Sequence, residues 1–303
     1  MKTILLTGAF PYTTDQLAQL KSLGCTAVYM QQESDQIPCS PSEVNGVVCN
    51  GLFLHHPITV FSSLEFIQLT SAGYDRIPMD AVSERGIKIC NARGVYSIPM
   101  AEWAMARILE HFKHLQIFVD LQRERDWTKD RALREVSGSN AAIIGAGNIG
   151  QEVAKRLSAF GVSVDGYDIM LGERAFFDSV YHVDDLRSQI SRYDIIILTA
   201  PHTPETHHMV NSELMGAMKK GAMLVNIARG GLVDTNAFVD VLKKRSDLFA
   251  ALDVFEEEPL PPDHPLWQLS NAALSPHNSF VSDRNNERLF SVIFNNLKNY
   301  LSV

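Results

Sequence analysis

The chain has 303 residues, of which 46% are hydrophobic and 20% charged, with a formal net charge of −8. That is length enough for two domains that each bury a core, and too apolar for a disordered chain. The negative balance argues against nucleic acid and anionic membrane as partners, although a local arginine can still recruit an anionic small molecule.

Four cysteines, Cys25, Cys39, Cys49 and Cys90, show no CxxC spacing. They read as free thiols of a reducing cytoplasm rather than a zinc or redox site. Residues Met1 to Thr7 carry one cation and a short apolar run, too short for a signal peptide, and read as a first strand. No apolar run approaches the ~20 residues that span a membrane.

Along the first 90 residues, strands alternate with helices. Strands are expected at Ile4–Leu6, Thr26–Tyr29, Val47–Cys49, Phe66–Leu69 and Ile87–Cys90, and helices at Thr14–Leu23 and Met79–Arg85. Such alternation predicts a parallel sheet covered on both faces, with ligands at the C-terminal strand ends. A long helix follows, roughly Ile98 to Leu121, with Ser97 as its cap. Its apolar residues cover more than one stripe, so it is expected to be buried on several sides. The polar stretch Arg123–Asn140 then acts as a link.

Next comes Gly145-Ala146-Gly147-Asn148-Ile149-Gly150. It lies between the apolar run Ala141–Ile144 and a helical pattern through Val153, Ala154 and Leu157. Strand, tight glycine turn and helix N-terminus together suit a pyrophosphate. A second strand, Val162–Tyr167, closes on Asp168, where a ribose-binding acid is expected about 20 residues beyond the glycines. The pattern predicts dinucleotide binding. Asp168 favours NAD over NADP, because a carboxylate repels a 2′-phosphate; Arg174 nearby tempers that preference. Further strands are expected at Asp194–Leu198, Met223–Ile227, Phe249–Asp253 and Ala272–Leu274, with helices at Glu213–Lys220, Thr235–Lys244 and Asn285–Tyr300.

Three ionisable residues follow strands of this half: Arg229, Glu258 and His277. Singly each has a bland reading, as a loop charge, part of an acidic run, or one of ten histidines. Together they fit the reduction of a 2-oxo acid beside a nicotinamide. A guanidinium holds the carboxylate at two points and polarises the carbonyl, an imidazole supplies the proton, and a carboxylate orients the ring. The doublets His55-His56 and His207-His208 make weak metal-ligand candidates, because adjacent residues do not share a face, and no metal is expected.

At this point the chain resembles the D-isomer-specific 2-hydroxyacid dehydrogenases. The carrying residues are Asn226-Ile227-Ala228-Arg229-Gly230-Gly231-Leu232-Val233-Asp234, Ala251-Leu252-Asp253-Val254-Phe255-Glu256-Glu257-Glu258-Pro259-Leu260 and Ser275-Pro276-His277. Supporting matches are Asn91-Ala92-Arg93-Gly94 through Ala101-Glu102, and Thr199-Ala200-Pro201-His202-Thr203-Pro204-Glu205-Thr206.

The resemblance implies an α/β fold of two doubly wound parallel-sheet, Rossmann-like domains flanking an active-site cleft. A discontinuous substrate-binding domain would cover 1–95 and 278–303, and the NAD-binding domain 96–277. It also implies Arg229 as substrate cation, His277 as acid–base and Glu258 as its partner. NAD(H) would be bound through Gly145, Gly147, Asn148, Ile149, Gly150, Asp168, Pro201 and Thr206, with the Ala228 carbonyl and Asp253 on the nicotinamide amide. Backbone at Ser71, Ala72 and Gly73 would hold the substrate carboxylate. A cytoplasmic homodimer is the implied assembly, with the long helix contributing to it.

The chain departs from the pattern at Asn278-Ser279-Phe280, where relatives carry small residues. Phosphoglycerate dehydrogenases, similar overall, hold phosphate with cations after the third strand, whereas Asn50-Gly51-Leu52-Phe53-Leu54 has none. The expected substrate is therefore a non-phosphorylated 2-oxo or D-2-hydroxy acid. Its selectivity would depend on Leu52, Phe53, Tyr74, Trp267 and Phe280. The rival readings are phosphoglycerate dehydrogenase-type activity, oxidation of formate or phosphite on the same scaffold, and a non-catalytic NAD(H)-sensing protein like the corepressors that resemble this family.

Overall fold

Short apolar runs closed by turn residues become parallel strands throughout. The structure, a computed structural model, describes residues 1–302 and falls into two compact units. One is Met1–Tyr96 with the segment from Ser282 onward, and the other is Ser97–Val281.

The smaller unit begins with β1 (Thr3–Thr7), α1 (Thr14–Lys21), β2 (Thr26–Met30), β3 (Val44–Cys49) and α2 (Leu52–His55), followed by β4 (Phe66–Leu69), α3 (Met79–Glu84) and β5 (Lys88–Cys90). Thr13 and Gln16 form a reciprocal capping box that fixes the start of α1. The five strands are parallel, in the order β2-β1-β3-β4-β5. Successive strand residues face opposite sides. Leu5, Val47 and Ile67 therefore enter one buried cluster, while Ile4, Leu6, Val48 and Phe66 enter another.

The larger unit holds α4 (Ser97–Phe112), α5 (Leu115–Glu124), β6 (Asn140–Ile144), α6 (Asn148–Ala159), β7 (Ser163–Asp168), β8 (Ser179–His182), α7 (Leu186–Gln189) and β9 (Ile195–Leu198). It continues through α8 (Ser212–Ala217), β10 (Met223–Asn226), α9 (Thr235–Lys244), β11 (Phe249–Leu252) and β12 (Ala272–Leu274). Its seven strands are parallel, in the order β12-β11-β10-β9-β6-β7-β8. The order reverses between β6 and β9, which is where such sheets bind ligands. The chain then returns to the smaller unit as α10 (Asn285–Leu301). There Leu289, Ile293, Leu297 and Tyr300 line one helical face, and Tyr300 stacks on Phe66 at 4.6 Å.

Several sequence expectations need correction. The long helix is two helices, because His114 is left-handed at φ 49° and breaks the chain between Phe112 and Leu115. The break is held from outside: His114 Nδ1 pairs with Asp130 at 2.6 Å and the Arg134 amide donates to the Phe112 carbonyl. Only α4 is buried; Leu115, Ile117, Phe118 and Val119 of α5 are exposed. Ser97 is the first residue of α4 rather than a residue preceding it. Helix α8 stops at Ala217, because Met218 turns extended at ψ 145°. Strand β8 and helices α2 and α7 were not foreseen. Residues 278–281, expected with the smaller unit, belong to the larger one, because Asp253 holds the Asn278 and Ser279 amides.

Candidate active site

The glycine turn after β6 is braced where the strand order reverses. Gly145 adopts φ +96°, and a Cβ there would lie 2.6 Å from the Ala200 nitrogen. A Cβ on Gly150 would lie 2.3 Å from the Gly145 carbonyl oxygen, so helix and turn touch backbone to backbone. Thr199, directly after β9, donates its hydroxyl to the same Gly145 carbonyl at 2.6 Å. Gly147 differs: a Cβ there would meet nothing within 4 Å, and no side chain caps α6. Asn148 and Ile149 are half-buried in the first turn. An uncapped helix N-terminus beside open space is the cradle a pyrophosphate requires, so these residues fit a dinucleotide.

Asp168 ends β7 and is heavily engaged. It accepts from the Ala146 amide at 2.9 Å and the Met170 amide at 3.0 Å, and pairs with Arg174 at 2.9 Å. Burial works against ionisation here, but the Met170 amide, Arg174 and the Ala146 amide outweigh it and hold the carboxyl below its usual range. The turn after β9 is closed by Thr206, whose hydroxyl donates to the Pro201 carbonyl and accepts from the Thr203 amide, both at 2.8 Å.

Arg229 follows β10 in a turn that Asn226 organises. Asn226 is buried; it accepts from the Ala228 amide at 3.1 Å and donates to the Arg229 carbonyl at 3.0 Å. The Arg229 guanidinium donates to the Ala228 carbonyl at 2.7 Å. Gly230 packs directly on the next turn, where a Cβ would lie 1.9 Å from the Phe255 carbonyl carbon. That next turn carries Glu258, whose Oε1 accepts from the Phe255 amide at 2.9 Å and whose Oε2 meets His277 Nδ1 at 2.7 Å.

His277 itself sits at φ +50°. Such a backbone persists only where its surroundings hold it, and Asp253 supplies the hold. Asp253 is fully buried. It accepts from the Ser275 hydroxyl and from the Asn278 and Ser279 amides, and its own carbonyl accepts from the His277 amide. Asp253 thus braces the histidine turn and has no exposed surface left for a ligand. The ring of Phe280 stands edge-on to His277 at 5.8 Å.

The larger unit therefore brings Arg229, Glu258 and His277 into adjoining turns at strand ends. In the smaller unit, Ser71, Ala72 and Gly73 follow β4, and their amides make no hydrogen bond among the described residues. Such a turn can accept a carboxylate. Leu52, expected to help select the substrate, is instead fully buried in the core. His208, weighed as a metal ligand, pairs with Glu256 at 2.6 Å. The bracing roles of Asn226 and Thr199 were not foreseen; the signal was a polar residue at the end of an apolar strand.

Comparison with known proteins adds to this geometry. A model of the family described as "D-isomer specific 2-hydroxyacid dehydrogenase, NAD binding domain" matches residues 105–279. The D-3-phosphoglycerate dehydrogenase of Methanocaldococcus jannaschii is 36% identical over 240 residues, 78% of this chain and 46% of that one. The glyoxylate reductase of Thermofilum pendens is 35% identical over 244 residues, 78% of this chain and 71% of that one. The chain thus spans less than half the length of the first relative. Among solved structures, D-lactate dehydrogenase from Aquifex aeolicus, complexed with NAD and lactic acid, aligns with a TM-score of 0.81 at 26% identity. That alignment covers 99% of this chain and 95% of that one.

Proposed function

The chain belongs to the D-isomer specific 2-hydroxyacid dehydrogenases, a nicotinamide-dependent family, and on that premise we propose that it reduces a small, non-phosphorylated 2-oxo acid to the D-2-hydroxy acid with NADH. The observation that carries this reading is the His277–Glu258 pair beside the Arg229 turn.

The bound cofactor supplies the hydride. Arg229 holds the substrate carboxylate by two parallel hydrogen bonds and polarises the carbonyl. With Nδ1 engaged by Glu258, Nε2 is the His277 nitrogen left to pass a proton to the developing alkoxide. Glu258 fixes the ring and balances the imidazolium charge. The amides at Ser71–Gly73 in the smaller unit suit a carboxylate. Gly147, Asn148 and Ile149 would carry the pyrophosphate and Asp168 the adenosine ribose, with the Pro201–Thr206 turn and the Ala228 carbonyl near the nicotinamide.

Exposed Leu115, Ile117, Phe118 and Val119 on α5 support a homodimer, which light scattering would test. Four free cysteines support a reducing, cytoplasmic setting. Among the described residues no helix is long and apolar enough to cross a membrane.

The test follows NADH absorbance against glyoxylate, pyruvate, hydroxypyruvate, phenylpyruvate and 3-phosphohydroxypyruvate. Turnover of a non-phosphorylated acid is expected. The name of the Methanocaldococcus relative favours phosphoglycerate dehydrogenase chemistry as the second reading, and turnover restricted to the phosphorylated acid would select it. NADH binding with no turnover of any acid would favour a sensing protein.

A further inference from the structure

In the smaller unit the sheet order reverses between β1 and β3, and one acid sits at that point. Glu33 follows β2 and reaches across the end of β1. Its Oε1 accepts from the Thr7 hydroxyl at 2.8 Å and the Asn50 amide at 2.7 Å, and its Oε2 accepts from the Gly51 amide at 2.6 Å. Thr7 is the last residue of β1, and Asn50 and Gly51 are the first two after β3. Three donors therefore converge on one half-buried side chain at the place where sheets of this order bind ligands.

Two neighbouring backbone amides turned to one point are what an anionic group of a ligand needs. Here the protein fills them with its own carboxylate. We infer that Glu33 is a specificity residue that excludes substrates with a charged tail, so that the proposed reaction takes 2-oxo acids whose far end is uncharged. The inference rests on the function proposed above.

The distances support it. The Ser71–Gly73 amides follow β4, next to β3, and neighbouring strands lie about 4.8 Å apart. A carboxylate resting at Ser71–Gly73 would lie about one strand spacing from Asn50 and Gly51, so a tail directed towards that turn meets Glu33. Repulsion between Glu33 and a phosphate at about 6 Å, at an effective dielectric constant of about 20, amounts to roughly a hundredfold. Asn50 Oδ1 is also buried and without a partner among the described residues. One cation is close: Arg76 Cδ would lie 3.7 Å from a Cβ on Gly51. Among the described residues it makes no ion pair with Glu33, which keeps its hold on the amides.

The experiment compares kcat/KM for hydroxypyruvate and 3-phosphohydroxypyruvate with NADH, in the wild type, Glu33→Gln and Glu33→Asp. Calorimetry of D-glycerate and 3-phospho-D-glycerate with saturating NAD+ gives the same comparison without turnover. The wild type is expected to prefer the uncharged acid by about a hundredfold. Glu33→Gln should cut the preference to about tenfold or less, and Glu33→Asp, which keeps the charge, should retain it. Equal treatment of the two acids by the wild type, or a preference left unchanged by Glu33→Gln, overturns the inference. So does a wild type that favours the phosphorylated acid, which would give the tail to Arg76. If Glu33→Gln does not fold, the wild-type ratio decides. Charge discrimination in binding without turnover upholds the inference and removes the proposed reaction. Turnover without discrimination does the reverse, and binding of neither acid overturns both.

Discussion

His277 Nδ1 lies 2.7 Å from Glu258 Oε2, and the other oxygen of that carboxylate accepts the Phe255 amide at 2.9 Å. The carboxylate is therefore anchored on one side while it orients the ring on the other. In the proposed mechanism, removing the ring removes the proton donor, whereas neutralising the acid removes only the ring's orientation and charge balance. His277→Ala should lower kcat by ~10²–10⁴ with the NADH dissociation constant within about twofold of wild type. Glu258→Gln should lose less, about tenfold or more. Steady-state kinetics with a parallel NADH fluorescence titration checks both. Wild-type turnover by His277→Ala would remove His277 from the mechanism.

Arg229 is positioned by its turn, since buried Asn226 bonds both the Ala228 amide and the Arg229 carbonyl. Arg229→Lys keeps a positive charge but loses the planar fork. With hydrogen bonds to charged groups contributing about 1.5–3 kcal/mol, kcat/KM should fall roughly 10- to 150-fold. An unchanged kcat/KM would mean that charge alone suffices, and the two-point hold would be wrong.

The glycines of the cofactor turn separate stability from binding. At Gly150 a methyl would meet the Gly145 carbonyl oxygen at 2.3 Å, so Gly150→Ala should lower the unfolding temperature by several degrees. At Gly147 a methyl would meet nothing within 4 Å. Gly147→Ala should leave the unfolding temperature nearly unchanged while weakening NADH, because it occupies space the pyrophosphate needs. Calorimetric scans and NADH titration of the two variants decide. Full NADH affinity in Gly147→Ala would remove that open space from the cofactor site.

Periodicity and turn chemistry made much of this legible. Strand β4 at Phe66–Leu69, helix α9 at Thr235–Lys244 and strand β12 at Ala272–Leu274 have the bounds expected from their apolar runs. The break at His114 was not legible, because Leu115, Phe118 and Val119 continue the helical spacing and the interruption is imposed by Asp130 and Arg134, distant in sequence. Strand β8 is four half-buried residues at a sheet edge, too short and polar to register against its loop. At the site, residue types were readable but surroundings were not. Asp253 belongs to a recognisable segment, yet nothing in that segment says that it is fully buried and holds the histidine turn. Glu33 belongs to no motif; only the folded sheet places it over the ends of β1 and β3.

His111 near the end of α4 should make stability depend on pH. Its Nε2 accepts from Arg134 at 3.1 Å and its ring stacks on Phe249 at 4.1 Å. Burial, with Arg134 and His114 beside it, pushes the imidazole down to about 4. The unfolded chain titrates near 6.5. Between those values the unfolded state binds more protons, so the contribution is fully present above about 6.5 and is lost as pH falls towards 4. His111→Gln keeps an acceptor that does not titrate. Urea midpoints of wild type and variant should diverge with pH across that window, by on the order of 1–2 kcal/mol after allowance for partial exposure. Parallel curves would show that His111 is not the sensor.

On the proposed reading, Asp168 and Arg174 set the cofactor preference as a pair. The carboxylate ends β7, bonds the Ala146 amide of the glycine turn and pairs with Arg174 at 2.9 Å. In this arrangement the negative charge stands where the adenosine ribose is expected, and the cation that could take a 2′-phosphate is already engaged. Removing Asp168 lifts the repulsion and takes away the counter-ion of Arg174, which the Ala146 and Met170 carbonyls still hold beside the turn. Asp168→Ala should therefore weaken NADH and shift the NADPH-to-NADH ratio of kcat/KM upward by about tenfold or more. Arg174→Ala should shift the same ratio downward, since the carboxylate stays and its counter-ion is lost. Asp168→Ala also strips acceptors from the Ala146 and Met170 amides, so its unfolding temperature needs to be read alongside. The ratio is insensitive to a general loss of folded protein, which scales both cofactors alike. A ratio unmoved by either substitution would mean that discrimination lies elsewhere in the chain.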